Sequence, residues 1–433
     1  MAKVFSSIGS WVNERAPGLV PTYRKHMSEY YAPKNFNFMY FFGSLALVVL
    51  VNQILTGIFL AMFYKPSAEI GFSGMSQAFI SVQYIMRDVD WGWLIRYMHT
   101  TGASMFFIVI YFHMFRGLMY GSYKKPRELV WLLGMLIFLV LMAEAFMGYV
   151  LPWGNMSFWG AKVIISLFGA IPWIGDTLVT WIMGNFLPGD ATLNRFFSLH
   201  VIALPLVLLL LVVLHLAALH EVGSNNPEGV EIKKVKDENG KPKDGIPFHP
   251  YYTVKDLFGV GFFLLICAFV IFLAPKMGGW FIEHDNFVPA NSLVTPAAIK
   301  PVWYFTPFYA ILRMIPDKLG GVVVMFASIV ILFLTPWIDR GKVKSVRYRG
   351  VGYKVFLTLF ALSFVCLGLI GAEVVPDIIV AIFGAHADVT AIQNAFGRIC
   401  VAVYFGFFLF LWAYTFFGWE KTRPVPERVT THE

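Results

Sequence analysis

Charge is scarce in this chain: 14% of its 433 residues are Asp, Glu, Lys or Arg, against 58% hydrophobic and 17% aromatic. So few charges cannot cover the surface of a soluble domain, so a bilayer is the expected solvent. Cysteine is nearly absent too. Cys267, Cys366 and Cys400 all fall inside apolar runs, which excludes a disulfide framework and a Cys-x-x-Cys-His attachment site and reads as small core hydrophobes. The first 35 residues lack a short apolar core followed by a small-residue cleavage site, so no removed signal peptide is expected. The net charge of +8 calls for no nucleic acid, since basic residues also suit an anionic inner leaflet and its lipids.

Long apolar runs are what the chain has instead. Eight approach the twenty residues needed to cross the hydrocarbon core, at about 38–62, 94–119, 129–150, 198–219, 254–274, 321–338, 353–372 and 395–417. Lysine and arginine divide unevenly between the alternate connections. Twenty-one lie in the two tails and in the loops after the second, fourth and sixth runs, and seven in the other four loops. The expectation is therefore an all-α membrane protein of eight transmembrane helices with both termini cytoplasmic.

Four histidines lie deep in two of these runs, His99 and His113 on the second, His200 and His215 on the fourth. The first and third runs carry glycines at nearly the same spacing, Gly43 and Gly57, Gly134 and Gly148. With the second and fourth runs parallel, His99 and His200 share the outer half with Gly57 and Gly148, and His113 and His215 share the inner half with Gly43 and Gly134. Fourteen residues of helix separate the levels by roughly 21 Å. Imidazoles in hydrocarbon need partners, and four at two matched depths are most simply axial ligands to two irons. Glycine admits a flat macrocycle between close backbones, so a four-helix bundle holding two stacked, noncovalent b haems is expected. The bland alternative is histidine as polar glue between helices.

The spacing is 14 on the second run and 15 on the fourth, offsets of about 40° and 60° in opposite senses on a regular helix. Pro205 lies between the second pair, and a proline can bring a bulge that absorbs one residue, so the fourth helix should be distorted between His200 and Pro205. Arg96 is one turn outside His99 and Arg116 one turn inside His113. Each is a candidate partner for a haem propionate, although snorkelling to headgroups explains either alone equally well.

At this point the chain resembles cytochrome b of respiratory complex III, the ubiquinol–cytochrome c oxidoreductase or bc1 complex, of the proteobacterial type. The resemblance covers nearly the whole length. It rests on Arg96-Tyr-Met-His99, on Gly148-Tyr-Val-Leu-Pro-Trp-Gly-Asn-Met-Ser-Phe-Trp-Gly160, on Asn194-Arg-Phe-Phe-Ser-Leu-His200, and on Pro301-Val-Trp-Tyr304. The related plastid-type complex splits this region over two polypeptides, and fusion of all eight runs favours the respiratory form.

The resemblance implies quinol oxidation near the outer face, one electron passing to a Rieske iron–sulfur protein and the other through the outer, low-potential haem. The inner, high-potential haem would then feed a quinone near the cytoplasmic face, coupled to proton translocation in a Q cycle. It implies a bacterial inner membrane, cytochrome c1 as a further partner, and a homodimeric complex. Carried across by motif, the outer pocket includes Phe146, Tyr149, Gly160, Pro301, Trp303 and Tyr304, and the inner pocket His220, Lys255 and Asp256.

Residue chemistry adds to both pockets. The stretch from Pro152 to Gly160 is aromatic and uncharged, as for a short helix at the outer interface beside an apolar cavity, or an ordinary aromatic belt. His220, Lys255 and Asp256 place a donor, a base and an acid at one depth, suited to quinone carbonyls and their protons, or simply a solvated helix-end cluster. One position departs from the family. Its members often carry glutamate where this chain has Val302, and valine cannot accept a proton from quinol. Glu144 is an intramembrane carboxylate and a functional candidate by default. Its helical angle of about 40° from Gly148 and about 140° from Tyr149 points to the outer haem edge more than to the quinol pocket. A role in proton exit or outer-haem tuning is expected, with Glu283, His284 and Asp285 as rivals.

The resulting organisation is a cytoplasmic segment 1–37, a dihaem bundle 38–219, a cytoplasmic loop 220–253, a second membrane unit 254–417 and a tail 418–433. The charged stretch from Glu228 to Asp244 reads as a hairpin or flexible loop, Pro17 to Tyr30 as an amphipathic surface helix, and the last three runs as shielding for the bundle. Two other classes stay open. A transporter would not require glycines in register with its histidines. A dihaem anchor of a dehydrogenase would lack the outer aromatic stretch and the Pro-Val-Trp-Tyr loop.

Overall fold

The computed structural model describes residues 2–25 and 29–429. Eight of its helices are long and apolar enough to cross a membrane: α1 Phe38–Ala61, α2 Gly92–Tyr120, α3 Glu128–Val150, α4 Asp190–Val222, α5 Phe248–Leu273, α6 Lys318–Ile338, α7 Val351–Gly371 and α8 Val389–Phe416. At 1.5 Å per residue the shortest, of 21 residues, just covers a hydrocarbon core of about 30 Å. The protein has an all-α membrane architecture. Among the described residues one two-stranded ribbon pairs Tyr31–Pro33 antiparallel with Gly245–Pro247.

Helix ends extend past the apolar runs where polar caps and amphipathic turns carry them. α4 starts at Asp190, where the Gly189 N–H donates to Thr192 Oγ1 at 3.1 Å, and its added turns bury Leu193 and Phe196. Asp388 caps α8 by accepting from the Ala391 N–H at 2.9 Å. Within α4, Leu199–Ala203 forms a π turn just before Pro205. Proline has no N–H to continue the α pattern, and the wider turn absorbs the extra residue of the His200–His215 spacing. This is the distortion that the mismatch with α2 calls for.

α1 packs along α2 and α3 along α4, while α5 closes against α1 and α2. α6, α7 and α8 gather around a short helix, Thr306–Met314, and α6 touches α3. Phe107, Phe138, Phe308, Tyr353 and Phe407 join these groups in one apolar core. Large side chains such as Leu206, Leu210, Phe258 and Leu265 stay on the outside, as lipid-facing helices require.

The connections after α2, α4 and α6 and the C-terminal tail are knitted together. Lys124 and Arg349 both meet the buried Asp339, at 2.8 and 2.6 Å, and Arg349 also pairs with Glu420 at 2.6 Å. The Glu228–Asp244 stretch is a tied-down hairpin. Arg127 holds Glu231 at 2.6 Å together with Lys344, Arg347 and Tyr348 hold Glu228, and Arg428 meets Asp244 at 3.0 Å. Of the surface helix expected over 17–30, residues 26–28 lie outside the described residues, and the others include only the short α-helix Leu19–Tyr23. An upstream helix, Ala2–Arg15, has no counterpart among the apolar runs.

Candidate functional site

The four histidines meet in two pairs, each joining α2 to α4. The ring centroids of His99 and His200 are 6.2 Å apart with planes at 86°, and those of His113 and His215 are 6.4 Å apart at 56°. Bonds of about 2.0 Å from one metal to two facing ring nitrogens, plus roughly 1.1 Å from nitrogen to centroid on each side, give a gap of about 6 Å. Among the described residues no three His, Cys, Asp or Glu side chains form a group able to hold a metal ion. Each pair thus offers two donors, which suits a metal whose other ligands come with it, as iron in a porphyrin does.

Every one of the four glycines faces one histidine. A Cβ on Gly43 would lie 3.5 Å from His113 Cε1, on Gly57 3.3 Å from His99 Cε1, and on Gly134 3.3 Å from His215 Cε1. On Gly148 it would come within 2.9 Å of both ring nitrogens of His200 and nearer still to Cε1. The missing side chains therefore admit the edge of each imidazole to the neighbouring backbone. The two glycine levels coincide with the two histidine levels.

Ring orientation comes from what each Nδ1 touches. Thr56, one residue before Gly57, places Oγ1 2.9 Å from His99 Nδ1. His200 Nδ1 lies 2.9 Å from the Glu144 backbone carbonyl and 3.0 Å from its carboxylate Oε1. His215 Nδ1 lies near the Val130 carbonyl without a well-aligned hydrogen bond. At His99 and His200 these contacts leave Nε2 as the free donor atom and fix the tautomer, whereas at His113 the Arg116 guanidinium lies beside both ring nitrogens, at 3.3 and 3.5 Å. Thr56 escaped the sequence reading; a hydroxyl residue beside a glycine in register with a histidine was its signal.

Arg116 lies against His113, with Nη2 3.3 Å from Nδ1, and over the Tyr40 ring at 5.0 Å, while its buried Nε has no partner. Arg96 reaches the Phe287 ring at 5.9 Å. Among the described residues neither arginine forms an ion pair with a carboxylate. Both side chains are half-buried, and withdrawing a guanidinium from water without an anion is costly, so both sites fit an anionic group such as a propionate.

At the end of the bundle nearer the His99–His200 pair, the loop between α5 and α6 is pinned to the helix Asn155–Ser166. Asn155 N–H donates to the Val288 carbonyl at 2.8 Å, and Asn286 Oδ1 accepts from the Ser157 N–H and hydroxyl at 3.0 and 2.9 Å. Gly154 makes this approach possible, since a Cβ there would lie 2.8 Å from Asn286 Cα. The pinning sets Glu283 over Tyr149, whose hydroxyl donates to Glu283 Oε2 at 2.9 Å. Glu283 is 7% exposed, and burial pushes its carboxyl up to about 7. A position on Gly160 would touch the Tyr149 ring at 3.7 Å. Tyr304 stacks on Phe107 at 4.0 Å, Trp303 Nε1 donates to Ser104 at 3.2 Å, and Val302 is buried just after the half-buried Pro301. Phe146 packs on Phe196 at 5.6 Å in a separate apolar cluster.

At the opposite end, nearer the His113–His215 pair, a small cavity lies among Phe36, Tyr40, Phe41, Tyr252, Lys255 and Asp256. Tyr40 touches Arg116 as well, so this cavity adjoins the His113 level. Lys255 Nζ donates to the Phe36 carbonyl at 2.7 Å. His220 stacks on Tyr30 at 4.5 Å, and Tyr30 in turn lies 6.2 Å from Phe248, another ring bordering the cavity. The structure thus brings Lys255 and Asp256 together and sets His220 one aromatic layer away.

Residues 27–223 match the family model described as Cytochrome b/b6/petB, and residues 289–405 that described as Cytochrome b(C-terminal)/b6/petD. The chain is 55% identical over 430 residues to Cytochrome b of Allochromatium vinosum, with 98% of each covered. It is 48% identical over 426 residues to Cytochrome b of Rickettsia prowazekii, again with 98% of each covered. Cytochrome b/c1 of Bradyrhizobium diazoefficiens is 46% identical over 97% of this chain but only 56% of its own length. Among solved structures, a chain of a Hyperthermophilic respiratory Complex III superposes with a TM-score of 0.81 at 37% identity, covering 94% of this chain and 98% of that one. Identity above one half over almost the whole of two sequences does not arise from shared membrane composition, and the chain belongs to the cytochrome b/b6 family.

Proposed function

We propose that this chain is the electron-carrying core subunit of a quinol–cytochrome c oxidoreductase of the respiratory complex III type, working in a bacterial inner membrane with both termini cytoplasmic. The observation that carries this is the doubled site: two histidine pairs, each backed by two glycines, on the same pair of helices. Bound there, two noncovalent b haems supply one-electron carriers at two depths. His99 and His200 hold the outer one and His113 and His215 the inner. Gly57, Gly148, Gly43 and Gly134 let the rings reach the neighbouring backbones. Thr56 and Glu144 position His99 and His200, and Arg96 and Arg116 receive the propionates.

Quinol is oxidised at the outer site and a quinone, ubiquinone in this reading, is reduced at the inner one, with protons released outside and taken up inside. Tyr149, Gly160, Pro301, Trp303 and Tyr304 shape the outer site in this reading, and Phe146 is assigned to it as well. Lys255 and Asp256, backed by His220, bind and protonate the inner quinone. A Rieske iron–sulfur protein and cytochrome c1 are the partner subunits, and the complex is a homodimer in lipid. The test is reduced-minus-oxidised spectroscopy of membranes carrying His200→Leu or His215→Leu. Each should lose one spectrally distinct b haem and keep the other. A colourless wild-type protein, or loss of the same haem in His200→Leu and His113→Leu, would overturn the assignment.

A further inference from the structure

Quinol oxidation at the outer site must dispose of protons in an apolar pocket, yet Val302 and its neighbours Pro301 and Trp303 offer no base. Glu283 is a buried carboxylate in hydrogen bond with Tyr149 of that pocket. Its position is not accidental to a mobile loop. The segment that follows it is held on the helix Asn155–Ser166 by Asn286 and by the backbone at Val288, and just ahead of that helix by the Ala290 N–H, which donates to the Trp153 carbonyl at 3.1 Å. Immediately beyond Glu283, His284 and Asp285 are exposed, so a proton on Glu283 is two residues from water.

The competing carboxylate, Glu144, is turned towards His200 and has no such route. The ionisable groups facing Glu283 are Tyr149, which donates to it, Lys300 and Asp285 at longer range, and Tyr304, whose own hydroxyl feels the carboxylate. A base that works near neutrality must be neither fully protonated nor too weak to accept. The burial of Glu283 supplies that condition, opposed in part by Tyr149 and Lys300.

We propose that Glu283 is the catalytic base of the outer site, taking a proton from the quinol hydroxyl and passing it out past Asp285, with Tyr149 as its positioning partner. The proposal rests on the outer-site reading above. In the step the quinol O–H bond breaks and its proton joins a carboxylate oxygen of Glu283. The two electrons of the quinol go one each to the iron–sulfur partner and the outer-level b haem, leaving quinone once the second hydroxyl proton has followed.

The experiment uses the intact complex, following quinol-driven reduction of cytochrome c and of the outer haem from pH 5 to 9 with a ubiquinol analogue. Glu283→Gln keeps an acceptor for Tyr149 and removes the base. We expect kcat to fall on the order of 10²-fold and the rise of rate with pH through about 7 to disappear, with both haem spectra unchanged. Adding Val302→Glu to Glu283→Gln should restore a large part of the rate. A Glu283→Gln rate within twofold of wild type overturns the proposal. So does a slowed enzyme that keeps the wild-type pH limb, particularly if Tyr149→Phe behaves identically, because a purely structural carboxylate predicts that pattern. If quinol fails to reduce the outer haem in the wild-type complex, the outer-site reading falls, and this proposal with it.

Discussion

Gly148→Ala isolates the geometry on which the outer site depends. The new methyl would sit 2.9 Å from both ring nitrogens of His200, where ordinary contact begins at 3.4 Å, and closer to Cε1. Because Cε1 is the nearest atom, a shift of about an ångström is needed, and little can give: α3 and α4 are paired along their length, and packed interiors transmit strain. The imidazole is held from behind by the Glu144 carbonyl at 2.9 Å and, in the proposed reading, in front by iron. Overpacking of this kind costs about 1–3 kcal/mol, roughly a 5- to 150-fold loss of haem retention.

The same substitution at the other three glycines forms a graded control. Gly57→Ala and Gly134→Ala, at 3.3 Å, should weaken their haems modestly, and Gly43→Ala, at 3.5 Å, should be nearly silent. Redox-poised difference spectra of membranes, read separately at the two haems, measure all four variants. Retention of the full outer-haem signal in Gly148→Ala, or loss of the inner haem instead, would refute both the pairing of Gly148 with His200 and the packing argument.

Two further outcomes follow from the fold. Deleting Ile202 removes the extra residue of the π turn at Leu199–Ala203 and leaves the 14-residue spacing of α2, so both haems should survive. Deleting Val109 from the regular part of α2 turns His113 by about 100° and should abolish the inner haem. On the opposite side, burial pushes the Glu231 carboxyl up, but Arg127 and Lys344 outweigh it and hold the group down at about 2 against its ordinary 4.5. A folded-state value below the unfolded one contributes stability above about pH 4.5 that drains away as pH falls towards 2. Protease cleavage within residues 228–244 should rise over that window in wild type, and in Glu231→Gln should already be raised at neutral pH and meet the wild type near pH 2.

Much of this molecule is written in one dimension. Twenty apolar residues can only form a helix in lipid, because no water is there to satisfy the backbone, so the eight spans could be read from composition and length. The two levels could be read as well, since histidines and glycines 14 or 15 residues apart keep their depth whatever the neighbouring helices do. Pro205 announced the distortion in α4 because a missing N–H is a local fact.

Other features depended on contacts between segments distant in sequence. That each glycine meets the edge of an imidazole, that Thr56 backs His99, and that Glu144 turns to His200 are decided by how α1 lies on α2 and α3 on α4. Glu283 is 134 residues from Tyr149, and nothing in its own neighbourhood distinguishes it from His284 or Asp285. Its burial and its partner arise from the pinning of one loop on one outer helix. Periodicity carries depth and face along a helix, but the approach of two chain segments is set by packing, and only the folded chain holds that information.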